Sequence, residues 1–291
     1  MFIQLLANGI ILGSIIALVA VGFSLIFSTN RFVHFAHGSV VVLSGFFLYI
    51  FYSILGINFY LACILTIIVS ALVGLLIYLL VYYPLRRRGT SAVILLIASL
   101  GVMILLDNLT LLIFGADVKV LDYIPIAEGM NIAGAIVTPL QLIIAFSSLI
   151  LLLLVWLFVK YISLGKTVRA VADNPELASI SGINVRKIEA VSFMLGSSIA
   201  GFAGIMHTLE YGVEFSMGTA LSVAGYTGAV IGGIGSLAGS VLGGYLLGLA
   251  ENLGIWFLPS GYKMAIAFIL LLIFLLIRPN GIFGIDKGTR G

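Results

Sequence analysis

Charge is the scarcest feature of this 291-residue sequence. Asp, Glu, Lys and Arg together make up 9% of it, against about 25% in an average soluble domain. A single cysteine, Cys63, excludes an intrachain disulfide and carries no information about redox compartment. No Ser/His/Asp set and no paired-carboxylate arrangement stands out, so nucleophilic and general acid–base catalysis have no visible apparatus. No positive charge precedes Arg31. The opening stretch 2–27 therefore lacks the basic n-region of a signal peptide, and it is too long for an h-region. Polar surface is also missing: with 62% apolar residues, a soluble chain of this length could not cover its core. These absences exclude a soluble enzyme, a nucleic-acid binder and any sizeable extramembrane domain.

What remains is apolar helix. Apolar residues at 62% of 291 come to about 180 positions, and a span needs about 20 of them, which predicts about nine spans. Candidate spans run over 2–27, 36–55, 58–83, 91–114, 139–161 and 190–211, then a glycine-rich stretch 219–258, then 263–277. An open strand in lipid would leave backbone groups unsatisfied, and the alternation of a barrel is absent. The expected fold is all-α: one polytopic transmembrane helix bundle over 1–291, with about nine membrane-crossing segments including a glycine-rich hairpin. With the N-terminus outside and strict alternation, twelve of the fourteen basic residues fall on one side. They are Arg31, Arg86, Arg87, Arg88, Lys160, Lys166, Arg169, Arg186, Lys187, Arg278, Lys287 and Arg290. Only Lys119 and Lys263 fall opposite. The positive-inside rule makes the crowded side, and the C-terminus, cytoplasmic. Asp117, Asp122 and Glu128 share the outer loop with Lys119, but acidic residues weigh little in that rule.

The stretch 219–258 must enter and return, with its turn expected at Gly232-Gly233-Ile234-Gly235-Ser236. No charge marks that turn, so its tip can stop inside the protein, where irregular backbone is tolerated only if protein or a watery cavity surrounds it. Gly228 and Gly232, then Gly235, Gly239 and Gly243, then Gly244 and Gly248 are each four apart. On a helix this spacing makes a small-residue ridge for close packing, either within the chain or along a pore or dimer seam.

Three patterns imitate other functions. Gly165-Lys166-Thr167 resembles the end of a P-loop, but the required earlier glycine is Lys160 and no strand precedes it. Gly233-x-Gly235-x-x-Ala238 imitates a dinucleotide fingerprint without the βαβ unit around it. His34 and His37 form an H-x-x-H pair with no third ligand nearby in sequence, and are expected to be satisfied interfacial histidines rather than metal ligands.

The longest polar stretch on the cytoplasmic side is 163–188. Within it, Asn174 is a good N-cap, Pro175 suits the first helical position, and Glu176 complements the helix dipole. Gly182 is placed to be the left-handed residue after the helix. This predicts a helix of about two turns outside the membrane, marginal alone and so in need of support. Leu177 and Ile180 give it one apolar edge. It is either a connector resting on the bundle or a docking surface for a partner.

Glu176-Leu177-Ala178-Ser179-Ile180-Ser181-Gly182 resembles the EAA-x-x-x-G loop of ABC importer permeases, with Leu177 in place of the middle alanine. The flanks Leu164-Gly165-Lys166, Arg169-Ala170 and Gly182-Ile183-Asn184 resemble the branched-chain amino-acid (LivH-type) permease family in particular. So do His34-Phe35-Ala36-His37-Gly38 (where the usual first residue is Asn), Tyr83-Pro84-Leu85-Arg86, Gly232-Gly233-Ile234-Gly235-Ser236, Gly248-Leu249-Ala250-Glu251 and the segment from Arg278 to Gly284. The similarity is collinear over nearly the whole chain. It implies a transport subunit, not an enzyme, in the inner membrane of a prokaryote, carrying branched-chain or other hydrophobic amino acids. It implies no cofactor here, with ATP and Mg on two cytoplasmic ATPase subunits. Further implied partners are a second homologous permease (or a second copy of this chain) and an extracytoplasmic substrate-binding protein. The residues it assigns to ATPase coupling are Lys166, Arg169, Asp173, Asn174, Pro175, Glu176, Ala178, Ser181 and Gly182. Urea and short-chain amide permeases have similar motifs and form the alternative. A self-sufficient channel or secondary transporter is the rival from another class.

Polar residues inside spans are functional candidates by default. His37, Ser39, Ser99, Asp107, Asn108, Glu251 and Asn252 are the candidates for the translocation path, with Asp107 deepest in an otherwise apolar span. Glu210 is expected at the interface.

Overall fold

The protein is described by a computed structural model covering residues 1–121 and 128–284. Asp122, Lys287 and Arg290 lie outside the described residues. The chain folds as a helical bundle. Helix α1 (Phe2–Asn30) is apolar all round and carries a run of small residues: Gly9, Gly13, Ala17, Ala20 and Gly22. Both features suit a helix enclosed on every side, and Ile15, Leu18, Ala20 and Ile26 are completely buried. Against it pack α9 (Val185–Tyr211), α10 (Met217–Gly232) and α11 (Leu237–Gly254), with α2 (His37–Tyr49) touching it more lightly and α3 (Phe59–Ile77) packed behind on α9 and α2. On the periphery lie α5 (Ala92–Phe114), α6 (Pro139–Tyr161) and α12 (Lys263–Ile277), whose large apolar side chains largely face outward. Outward-facing leucine and isoleucine on helices this long are what a lipid-exposed surface requires.

Local signals set the helix ends. Asn58 accepts from Tyr60 N–H at the start of α3. Thr138 and Gln141 form a reciprocal capping box on α6, with Pro139 in its first turn. Helix α3 continues through a π-helical turn, Tyr78–Tyr82, into α4 (Tyr83–Arg87). Among the described residues, seven helices are long and apolar enough to cross a membrane: Phe2–Asn30, His37–Ile54, Phe59–Arg87, Ala92–Phe114, Pro139–Tyr161, Val185–Tyr211 and Ser260–Ile277. The remaining pair, α10 and α11, is bent by 119° across a short break.

Two expectations need correction. The fold is not purely helical: Met130–Ile132 (β1) pairs antiparallel with Ala135–Val137 (β2). Ala133 and Gly134, both at positive φ, make the two-residue turn. Such three-residue strands fall below what alternation can signal. The side chain of Gln4 extends this hairpin as a peptide group would, donating to Ile136 O at 3.0 Å and accepting from Ile136 N–H at 2.7 Å. The second correction concerns 163–188, which is helical nearly throughout. It contains α7 (Ser163–Asp173), α8 (Pro175–Ile180) and the first turn of α9. Helix α9 starts at Val185 rather than 190 because Asn184 caps it, accepting from Lys187 N–H at 3.1 Å.

Candidate functional site: the basic end and the polar core

At the end of the bundle that carries Arg31, Arg86 and Lys160, α7 and α8 form an elbow against the core. Helix α7 turns Val168 and Val171 inward and exposes Lys166, Arg169 and Asp173. Arg31 donates to the carbonyl of Ala172 in the last turn of α7, where a cation complements the helix dipole. Asn174 then caps α8, its Oδ1 accepting from the N–H groups of both Glu176 and Leu177 at 3.0 Å. The other end of α8 is a full Schellman closure. Ile183 N–H donates to Ala178 O, and Gly182 N–H to Ser179 O, each at 3.0 Å, with Gly182 at φ 84°. Ala178 and Ile183 face the core, which supplies the support so short a helix needs. Ser181 donates back to Leu177 O. Leu177 is left 61% exposed and Ile180 82% exposed, on a helix outside every candidate span. The capped helix read from the sequence is therefore present, with its apolar edge uncovered.

The glycine hairpin has its break at the predicted place, and most of its ridge is internal. A Cβ on Gly232 would overlap the Gly239 carbonyl, one on Gly239 the Gly232 carbonyl, and one on Gly243 the Gly228 carbonyl. Gly228 lies against the backbone of Gly244. Gly235 is the exception: it sits in the turn at φ 92°, where a Cβ would meet nothing within 4 Å, so it is a turn residue and not a packing residue. The tip is held within the protein. Gly235 N–H donates to the buried Ser24 hydroxyl at 2.8 Å, and Ile282 and Phe283 N–H donate to the carbonyls of Ile231 and Gly232.

The proposed path residues do not converge. Ser39 donates to Asp107 at 2.7 Å, and Gly218 of α10 lies directly against this pair. Asp107 is half-buried, whereas its neighbour Asn108 points outward and donates to Ile104 O. Ser99 clamps the connection between α1 and α2, accepting from Phe35 N–H at 3.2 Å, while Ser222 donates to Phe35 O at 2.6 Å. Glu251 and Asn252 are buried near the opposite end of the bundle, where Lys263 approaches Asn252 at 3.4 Å. Glu210 accepts from the Gln141 amide at 2.7 Å, at the end of α9.

The histidines are not interfacial. His34 and His37 are fully enclosed, His34 against Tyr82 OH at 2.8 Å and Phe193, His37 against Phe23 and Gly22. Burial, and then the neighbouring His37, hold the His34 imidazole well below its usual pKa, so it is neutral. No cluster of three metal-ligating side chains occurs among the described residues.

One constellation was not legible in the sequence. Arg86 pairs with the buried carboxylate of Glu189 and donates to Asn30 O, while Tyr78 OH donates to Glu189 at 2.9 Å. This knot joins the ends of α1 and α4 to the first turns of α9, a few residues beyond α8. In sequence Arg86 is one of three arginines marking sidedness. The available signal was Glu189, an acid near the start of α9 followed by twenty residues without an Asp, Glu, Lys or Arg.

The family described as branched-chain amino acid transport system / permease component matches residues 5–275. The high-affinity branched-chain amino acid transport system permease protein BraD of Pseudomonas aeruginosa is 31% identical, over 97% of this chain and 96% of that protein. LivH of Escherichia coli (strain K12), described in the same words, is equally similar, with the same coverage. Among solved structures, PsaBC from Streptococcus pneumoniae in complex with Fab has a TM-score of 0.53 at 17% identity, covering 97% of this chain and 94% of that one. That last likeness concerns the fold alone.

Proposed function

Because the chain belongs to the branched-chain amino acid transport system permease family, we propose that it is the membrane-spanning subunit of an ATP-driven importer for branched-chain or other hydrophobic amino acids. It is a transport subunit, not an enzyme; ATP and Mg bind on two separate cytoplasmic ATPase subunits. It pairs with a second permease, homologous or identical, and receives substrate from an extracytoplasmic binding protein. It lies in the inner membrane of a prokaryote with its N-terminus outside and its basic end in the cytoplasm, as the positive-inside rule requires. The two legs α10 and α11 complete about nine crossing segments.

The observation that carries this reading is α8. A six-residue helix capped at both ends exposes Leu177 and Ile180 away from the bilayer and is braced from behind by α7 and the core. Such a surface suits a cleft on each ATPase. Closure of the ATPases on ATP would push α7, α8 and α9 together and bias the bundle between inward- and outward-open states, provided the two states differ in their contacts there. Ser39 and Asp107, with Gly218 behind them, are the best-supported polar station on the path.

Co-purification of the ATPases with wild-type, Gly182→Val and Glu176→Lys permease tests the assignment. Gly182→Val puts a β-branched residue into a left-handed conformation. Glu176→Lys places a cation at a helix N-terminus. Neither change touches the bilayer, so membrane levels should hold while ATPase association and uptake fall. Full ATPase retention by both variants would make α8 a mere connector. Solute movement by the purified chain without ATPases would instead favour a channel or secondary transporter.

A further inference from the structure

We propose that the basic end holds one monoanionic glycerophospholipid, its phosphate between Lys160 and Arg169 and its chains along the two sides of α6. A cleft of about 540 Å³ opens between the end of α6, α7, the end of α1 and the hairpin turn, with Trp156 on its wall. Lys160 lies over the Trp156 ring at 4.4 Å, and the Arg169 guanidinium spends one donor on Lys160 O at 3.1 Å. Among the described residues neither cation has an ion-pair partner. An aromatic ring and unpaired cations at a helix end are what headgroup level in a bilayer looks like.

The cleft does not stop there. It shares Leu25 and Val159 with an apolar groove of about 260 Å³ between α6 and α9, lined further by Leu154, Phe158 and Phe202. On the other side of α6 it shares Trp156, Leu237 and Ala238 with a second apolar groove, of about 290 Å³, against α11. A polar site feeding two apolar channels at membrane depth matches a phosphate bearing two acyl chains, which no free anion does. Two cations and Asp173 line the cleft, giving it one net positive charge. That complements a single phosphodiester. Asp173 can accept hydrogen bonds from headgroup hydroxyls, as on phosphatidylglycerol.

Lipid retention requires only that the chain span a bilayer, so its failure and a failure of ATPase coupling are read separately. Native mass spectrometry of the full chain, extracted gently from vesicles of phosphatidylglycerol and phosphatidylethanolamine, is the test. One phosphatidylglycerol should remain on wild type and on Lys160→Arg. Its retention should fall roughly tenfold in Lys160→Gln with Arg169→Gln, since two charge-assisted bonds are lost. Ala238→Phe keeps both cations but narrows the mouth of the second groove, and should also lose lipid. Inorganic phosphate should not displace it. Unchanged retention in the charge variant, equal retention of phosphatidylethanolamine, or displacement by inorganic phosphate would each overturn the proposal.

Discussion

Alanine at Gly232 should unfold the hairpin's packing, and the structure says by how much relative to other glycines. A Cβ there meets the Gly239 carbonyl far inside the 3.0 Å that real Cβ atoms keep, and ordinary contact begins at 3.4 Å. The obstacle is backbone, which cannot rotate away, so the two legs must part by roughly 1 Å or more. Overpacking of this kind costs about 1–3 kcal/mol, occasionally more. Against it stands the gain of alanine over glycine inside a helix, about 0.5–1 kcal/mol. An overlap this deep sits at the upper end of that range, so the clash wins at Gly232, for a net loss of about 2 kcal/mol. At Gly228 the nearest atoms would be at 3.2 Å, so the two effects nearly cancel. At Gly101, in the middle of α5, a Cβ would meet nothing within 4 Å, and only the helical gain remains. The predicted order of stability is Gly101→Ala at or above wild type, Gly228→Ala near it, and Gly232→Ala below it. Thermal unfolding of the purified chain in mild detergent should show Gly232→Ala lower by roughly 4–8 °C. Equal shifts for Gly101→Ala and Gly232→Ala would refute the claim that backbone contact, and not helix propensity, decides this hairpin.

Gly182 should discriminate by conformation alone, because the space around it is empty. ATPase affinity should fall modestly for Gly182→Asn, by roughly tenfold for Gly182→Ala (about 1–2 kcal/mol of left-handed strain), and further for Gly182→Val; equal binding by Asn and Ala variants would contradict the Schellman closure. Removing Glu189 strands the Arg86 guanidinium, so Glu189→Ala should cost about 3 kcal/mol in unfolding, and Arg86→Met with Glu189→Met should recover part of it; additive losses in that double variant would argue against the knot. With Cys63 replaced, cysteine at Gly89 or Asn184 should be shielded from an impermeant thiol reagent in intact cells, whereas cysteine at the exposed Asp117 should react. The reverse pattern would invert the topology. Ala127, in the same outer loop, lies outside the described residues.

The sequence by itself determined the class of fold, nearly every helix, and the capped helix α8. Those are local matters: span length, proline and asparagine at an N-cap, glycine where φ must be positive. It also located the hairpin break, because three glycines and a serine within five residues leave a helix little to continue with. What it could not say is which apolar helix is inside. Hydropathy alone does not separate α1 from α12, yet α1 is the enclosed axis and α12 is almost wholly exposed. In water an apolar face marks the core, but lipid is as apolar as a protein interior, so hydrophobicity carries no direction. Only close packing distinguishes them, through glycine and alanine meeting backbone from another part of the chain, as Gly13 meets Tyr245 and Ala17 meets Gly244. The same limit hid the Arg86–Glu189 knot and the burial of His34 and His37, since contacts between separate elements are chosen by the fold. It also let Gly235 pass for a ridge residue. Spacing placed it four residues from Gly239, but the chain turns there before the helix begins.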